Sequence, residues 1–349
     1  SGGLSAVDIG DPRTVGGITR EYFTKLAATV GAKLAWDQPF KSDGGGPATG
    51  GAYAIEPHQA ERLFDAMALE AGVKVQFGAR LKSVSKAGPR ITELVMENGD
   101  VIRAKVFLDT TYEGDLMAKA GVSYTLEREA NAKYGETLNG VYYAEKYKPR
   151  TEHLKPGPSG RVKGGQGVWD RDFPLDPYIV KGDPTSGLLP LLNPGQPGKV
   201  GESAPGVQAY CFRLCLTTDS ANRIPIKPPA DYDPKQYELV ARFIEACLAI
   251  GDDMDLRWFS KHDPLPNHKW DFNTATFGGN LPGASWAWPE ATYSERKKIA
   301  QQHENYHRGL LHFLATDPRV PEKVRTDMQK FGLPKDEFQG NGGWPHQLY

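Results

Sequence analysis

The chain has 349 residues, 24% of them charged, and a formal net charge of -1. That length can form two or three lobes around a large core, and the balanced charge excludes general electrostatic attraction to nucleic acid or to an anionic membrane. The 39 glycines and 27 prolines predict many turns and long ordered loops, and no apolar run approaches the roughly 18 residues that cross a bilayer.

The first third of the chain predicts two helices followed by a β-meander. Apolar side chains four apart indicate a helix over 17–30, and a second helix begins at Glu56-Pro57-His58. Asn98-Gly99, the strongest hairpin signal in a sequence, marks one strand junction, and Gly88-Pro89 marks the other. The three predicted strands cover residues 73–84, 91–97 and 101–108.

A polar turn follows the last of these strands and leads into a short helix over 116–120. A strand that stops at small polar residues and turns into a helix gathers free backbone N–H groups at one point, where phosphates or ribose can bind. We therefore predict that four residues of the turn contact a cofactor: Asp109, Thr111, Gly114 and Asp115. An ordinary strand-to-helix turn, with Asp115 as the helix cap, is the alternative.

The remaining two thirds predict long loops around a few regular elements. Periodicity is lost from about 125 to 205, and we interpret this stretch as an insertion that covers a cleft. A strand is predicted over 207–217, and an amphipathic helix begins at Pro234. A tryptophan-rich loop region covers 252–288. A long helix runs from Pro289 to near Asp317, and a short helix covers about 321–331.

Alternation along the strand 207–217 singles out Arg213, which shares one face with Cys211 and Cys215 while apolar side chains take the other face. A lone guanidinium between two small thiols suits a cleft wall that binds an anionic or hydroxylated substrate. We predict a substrate-binding or catalytic role for Arg213. An ion pair with a carboxylate at a domain junction is the alternative.

Two further groups of residues could contact a substrate or move protons. Asp271 and Asn273 could position a sugar-like molecule beside the stacking face of Trp270, although a plain turn rich in Asp and Asn explains them as well. His58 begins a helix, and His346 lies beside Trp-Pro. Either could transfer a proton, and a packed, hydrogen-bonded histidine is the alternative for both.

The sequence also contains the H-E-x-x-H pattern of zinc peptidases, from His303 to His307. His303, however, lies on the apolar stripe of its helix, and no third ligand follows at a known spacing. The three cysteines are too few for a disulfide framework or a four-thiolate zinc site. We predict no metal site and keep a zinc hydrolase as the less favoured alternative.

Six stretches occur in one order along the whole chain. They are Gly2-Gly3-Leu4 with Asp8-Ile9-Gly10, 11–17, Glu56-Pro57-His58, 109–116 with 121–124, 210–216, and 344–349. In this order they resemble one bacterial family of FAD-dependent oxidoreductases of the glutathione-reductase-like structural class, some of whose members have been labelled xanthan lyases.

The resemblance implies an α/β fold in two parts. Residues 1–124 form a partial FAD-binding, Rossmann-like domain with a β-meander insertion, and residues 125–349 form a mixed α+β substrate domain. FAD is the implied cofactor, with Gly2 and Gly3 close to the flavin ring, and the reaction is hydride transfer from substrate to flavin. Loops rich in Trp, Tyr, Asn and Asp favour a polar, carbohydrate-like or otherwise hydroxylated small molecule as the substrate.

One family element is not found in the sequence. Proteins of this kind hold the FAD pyrophosphate with a G-x-G-x-x-G turn at the start of the chain, and no Gly-x-Gly here has the third glycine in place. The resemblance implies that this turn lies upstream of Ser1 and that a segment closing over the flavin follows Tyr349. A carbohydrate-binding or polysaccharide-processing module, as the lyase label suggests, is the alternative function.

Overall fold

A computed structural model describes residues 12–29, 31, 34, 36, 54–137, 139–141, 175–195, 198–249, 251, 253–273 and 275–349. The predictions for Gly2 and Gly3 lie outside these residues. The α-helices are α1 (Gly17–Thr29), α2 (Pro57–Glu70), α3 (Asp115–Lys119), α4 (Asn131–Tyr134), α5 (Glu238–Ala249), α6 (Tyr293–Thr316) and α7 (Glu322–Met328). The strands are β1 (Leu81–Ala87), β2 (Arg90–Met96), β3 (Val101–Ile102), β4 (Leu214–Thr217), β5 (Arg223–Ile224), β6 (Lys261–Leu265), β7 (Lys269–Asn273) and β8 (Leu333–Pro334).

The two predicted N-terminal helices are confirmed as α1 and α2, which pack on each other. Pro57 occupies the first turn of α2, where its missing N–H costs no hydrogen bond. The ring of Tyr22 stacks on the ring of Phe64 at 4.4 Å between the helices. Below them lies a small core built from residues far apart in the sequence: Leu26, Ile55, Ala60, Cys215 and Leu265.

The predicted meander is confirmed as the antiparallel sheet β1-β2-β3. Gly88 and Gly99 adopt φ angles of 62° and 90° in its two tight turns, a region that favours glycine. The strand boundaries were less accurate, because residues 73–80 precede β1 and the last strand ends at Ile102. Residues 106–108 form no strand in the described part of the chain, and the predicted return strand is wrong there. Without a neighbouring strand to cover them, Val106 and Leu108 are 72% and 81% exposed.

The second half is built on the antiparallel sheet β4-β7-β6, with β5 and β8 as a separate pair. The strand predicted over 207–217 shortens to β4, but its alternation holds, since Leu214 and Leu216 enter the main core while Cys215 enters the small one. The loop predicted over 252–288 is wrong, because it contains the β6–β7 hairpin. Asn267 and His268, both at positive φ, make that turn without the glycine that would have indicated it.

The main core fills the space between this sheet and helices α5, α6 and α7. α6 begins at Tyr293 rather than Pro289, because Thr292 and Glu295 form a capping box in which each side chain binds the other residue's backbone amide. All strand pairs among the described residues are antiparallel. The fold therefore mixes helix and sheet, and the Rossmann-like arrangement stays a prediction.

The interior of α6 should not tolerate a side chain at Gly309. A β-carbon there would overlap the hydroxyl of Tyr237, which is itself fixed by a hydrogen bond to the Tyr306 carbonyl at 3.0 Å. We expect Gly309→Ala to lower the free energy of unfolding by about 1–3 kcal/mol, although alanine favours helices. Gly16→Ala, where a β-carbon meets no atom within 4 Å, is the control. Urea unfolding measures both, and equal stability of the two variants would contradict the packing described.

Candidate functional site

The polar turn, residues 109–115, is organised by one carboxylate. Asp109 Oδ1 accepts hydrogen bonds from the amide and hydroxyl of Thr111 at 3.0 and 2.7 Å, and Asp109 Oδ2 accepts from the Met117 amide at 2.9 Å. Burial would raise the pKa of Asp109, but these hydrogen bonds hold the pKa below its usual value. Asp109, not Asp115, therefore caps the helix, which corrects that part of the alternative interpretation.

Asp115 is held by an ion pair with Arg296 of α6. Arg296 Nη1 and Nη2 donate to the two carboxylate oxygens at 2.7 and 2.8 Å, and the same guanidinium donates to the carbonyls of Trp288 and Pro289. Glu113 accepts from Trp288 Nε1 at 3.2 Å. Because Arg296 is buried, water competes little with this bidentate pair. The polar turn is thus docked on the first turn of α6.

The polar turn also carries amide donors that are not engaged. The Gly114 amide donates to Thr111 Oγ1 at 3.0 Å, but the amides of Tyr112, Glu113 and Asp115 have no acceptor among the residues that the structure describes. Gly114 has a φ of 69°, so the backbone bends sharply here. Neighbouring N–H groups on a bent backbone can bind the oxygen atoms of an anionic or hydroxylated ligand.

Arg213 lies next to the polar turn, with Tyr349 between them. The rings of Tyr112 and Tyr349 meet edge to face at 5.4 Å, and the Arg213 guanidinium lies 5.0 Å from the centre of the Tyr349 ring. Backbone hydrogen bonds in both directions tie Tyr349 to Cys211. No carboxylate among the described residues pairs with Arg213, whose buried Nε has no hydrogen-bond partner. The ion-pair alternative is therefore not supported.

The β4–β7 ladder ends beside Arg213. Cys215 pairs with Asp271 and Leu214 with Phe272, and Arg213 directly precedes Leu214, the first residue of β4. Side chains two apart on a strand share a face, so Asp271 and Asn273 lie on the side of the sheet that Cys215 faces. We call Arg213, Asp271 and Asn273 the polar sheet face. Their position in a strand ladder also rules out the plain turn that was the alternative for Asp271 and Asn273.

Trp270 is not part of this face. It alternates with Asp271 along β7, so its indole lies on the opposite side of the sheet, edge to face with Phe331 at 6.0 Å. Asp271 and Asn273 are both buried, and Asn273 Nδ2 donates to Asp271 Oδ1 at 3.4 Å. Asp271 and Asn273 therefore lie on the polar sheet face with Arg213, whereas Trp270, the predicted stacking residue, lies on the other side of the sheet.

A buried lysine cluster lies at the other end of the same face, and the sequence did not reveal it. Lys269 Nζ lies 2.6 Å from Glu56 Oε1, 2.8 Å from Asp336 Oδ2 and 2.6 Å from Glu337 Oε1. His58 binds Glu337 through Nδ1 at 2.6 Å and through its amide at 2.8 Å. Burial would lower the pKa of Lys269, but hydrogen bonds to the three carboxylates raise it above its ordinary value.

The lysine cluster has the spacing of a metal site. Each of four residues offers one carboxylate oxygen or imidazole nitrogen, and these four atoms lie within 4.8 Å of one another: Glu56, His58, Asp336 and Glu337. The Lys269 ammonium supplies positive charge among these carboxylates, and the absence of metal ligands stays a prediction. The packed, hydrogen-bonded alternative describes His58 well. His346 is exposed and meets Phe338, beside Glu337, edge to face at 6.1 Å.

His303 and His307 are buried in α6 and engaged by backbone carbonyls. His303 Nδ1 contacts the Ile299 carbonyl at 2.9 Å, and His307 Nε2 contacts the Gly279 carbonyl. Burial lowers the pKa of His307 to about 3. Within the described chain no third carboxylate, thiol or imidazole completes a metal site with these two residues. The zinc hydrolase alternative has no support from the structure.

Comparison with protein families decides the class of this chain. A family model described as FAD dependent oxidoreductase matches residues 1–349. The chain belongs to this family. It is an FAD-dependent oxidoreductase enzyme, and the carbohydrate-binding module and the lyase label have no support. Comparison with curated proteins and with solved structures finds no match. Among the described helices of this oxidoreductase, none is long and apolar enough to cross a membrane.

The donors of the polar turn fit an FAD group in their chemistry. FAD presents phosphate and ribityl oxygens, and the three free amides around Gly114 are donors suited to such atoms. The two acidic side chains are already engaged, Asp109 by its own turn and Asp115 by Arg296. Arg296 could have been found from the capping-box pattern of Thr292 and Glu295, which locates the start of α6.

The Asp115–Arg296 pair should contribute measurably to docking of the polar turn. A double-mutant cycle with Asp115→Asn and Arg296→Lys should give a coupling free energy of about 1–3 kcal/mol in chemical unfolding, because the pair is bidentate and its arginine is buried. The pair Arg103–Glu93, whose arginine is exposed, is the matched control, with less than about 1 kcal/mol expected. Equal coupling in the two cycles would contradict the docking described.

Acid should destabilise the enzyme through His307. The pKa of His307 is about 3 in the folded state, against 6.5 for an unperturbed histidine, so the unfolded chain binds more protons between these values. The contribution of His307 to the free energy of unfolding is therefore fully present above pH 6.5, and the free energy of unfolding falls by ~2 kcal/mol by pH 5. Urea unfolding at pH 7 and pH 5 should show this loss in the wild type and in the exposed control His346→Gln. An undiminished acid-dependent loss in His307→Gln would refute the assignment.

Proposed function

We propose that the polar turn binds FAD and that the polar sheet face holds the substrate, so that the enzyme oxidises a polar, hydroxylated small molecule by hydride transfer to the flavin. The observation that carries the proposal is the contact through Tyr349, which joins Tyr112 of the turn to Arg213 of the sheet face at 5.4 and 5.0 Å. It brings donors suited to a nucleotide and donors suited to a substrate next to each other.

We also propose that residues 1–124 belong to a Rossmann-like FAD-binding domain and residues 125–349 to a substrate domain. The meander β1-β2-β3, which forms a sheet of its own, supports this division. The antiparallel sheet β4-β7-β6 and the helices α5, α6 and α7 share one core, as a substrate domain should.

FAD, when bound, supplies the hydride acceptor for the reaction. The chain's own residues bind and orient the substrate and remove its hydroxyl proton. Arg213 and Asn273 donate hydrogen bonds to the substrate, and Tyr349 shields one face of the guanidinium from water. His58 lies at the Lys269 end of this face, about 13 Å from the Asn273 end along β7, so the substrate that we propose extends along the face from Arg213 towards His58. His58 takes the proton: its Nδ1–H donates to the buried Glu337, which leaves Nε2 to accept. His346, which has only a ring contact, is the alternative acceptor.

The proton-transfer step can be tested with the FAD-bound protein under anaerobic conditions. Substrate oxidation bleaches the visible flavin absorption, and we expect His58→Gln to slow this bleaching by about 10²–10⁴-fold, the usual contribution of a general base. FAD content should stay at the wild-type level, because His58 does not contact the polar turn. His346→Gln is the comparison variant, and a loss of rate in it rather than in His58→Gln would contradict the assignment.

A further inference from the structure

Arg213 differs from the other buried or half-buried arginines of the described chain. Four of them pair with carboxylates: Arg242, Arg296, Arg308 and Arg319. Arg223 and Arg325 donate instead to backbone carbonyls. Arg213 has only the Tyr349 ring, although it too is half-buried. No carboxylate among the described residues forms an ion pair with it.

The free donor of Arg213 is also closed to water. Nε is buried and has no hydrogen-bond partner, and buried donors are almost always satisfied in native proteins. The guanidinium as a whole is only half-buried, so an acceptor from a bound molecule can reach its Nη groups. The two Nη donors of a guanidinium match the two oxygens of a carboxylate.

The charges around the polar sheet face direct an anion to the Arg213 end. At the other end, Lys269 is matched by three carboxylates and offers no free positive charge. On the neighbouring strand β6, Lys261 is paired with Asp263 at 3.0 Å. Asn273 is neutral and can donate to a second oxygen, while Asp271 of the same face is buried and accepts a hydrogen bond from Asn273 Nδ2 at 3.4 Å.

We infer that the substrate carries a carboxylate, bound by Arg213, as well as the hydroxyl group that is oxidised. This inference rests on the proposed function and narrows its substrate class to hydroxy acids and sugar acids rather than neutral sugars. The reaction balances as an alcohol oxidation. The C–H hydrogen leaves with its electron pair to the flavin, the O–H proton passes to His58, and the alcohol becomes a carbonyl.

The test reads the Arg213 Nε–H signal directly by NMR in the ¹⁵N-arginine-labelled full chain, with the signal assigned by its loss in Arg213→Lys. Acetate and gluconate are the acid probes, and acetamide and glucitol are their neutral counterparts. We expect a saturable shift with both acids and none with the neutral probes, while the Arg223 signal stays unchanged. No shift with either acid, or an equal shift with glucitol, would overturn the inference.

Two further measurements separate this inference from the proposed function. Calorimetry measures how much more tightly the protein binds gluconate than glucitol. Arg213→Gln should lower this ratio of affinities at least tenfold, and Arg213→Lys should retain part of the preference. Flavin reduction by neutral polyols without any preference for acids would overturn the carboxylate and leave the oxidation intact. Selective binding of acids without flavin reduction by any polyol or hydroxy acid would overturn the proposed oxidation alone.

Discussion

The ammonium group of Lys269 is the interaction on which the arrangement of the two halves depends. It lies fully buried on β7 and reaches Glu56, just before α2, and Asp336 and Glu337 near the C-terminal end. A buried charge is tolerated only when partners surround it. The segments that supply those partners must therefore come together, and the N-terminal helices are fixed against the β4-β7-β6 sheet.

The same sheet face shows two solutions for a cation in the interior. Lys269 is enclosed by carboxylates from three segments, so its charge serves the fold and is unavailable to a ligand. Arg213, at the other end, has an aromatic ring on one face and no ion pair with a carboxylate among the described residues. Side chains that have their partners inside the protein stabilise it, whereas a half-buried donor without one is typical of a binding site. This contrast is why we place the substrate at Arg213 rather than at Lys269.

The predictions that held rest on signals from neighbouring residues. Asn98-Gly99 specifies a tight turn by itself, and alternation along 207–217 separates Leu214 and Leu216 from Cys215, as the two cores of the structure do. The β6–β7 hairpin was missed because Asn267-His268 makes its turn without glycine. The lysine cluster could not be predicted from the sequence for a different reason. Its members at positions 56, 269 and 336–337 are far apart in the sequence and come together only in the folded chain.

Asp115 shows how the docking of the polar turn bears on function. From its place in the sequence it resembles a ligand-binding acid, yet both of its oxygens are taken by Arg296, which in turn holds two carbonyls at the start of α6. The free groups of the turn are consequently its amides, which can only donate. The acid positions the turn, and the backbone is left to bind. Because α6 also packs into the core beside β4, the Asp115–Arg296 pair connects the polar turn to the same core that holds the strand next to Arg213.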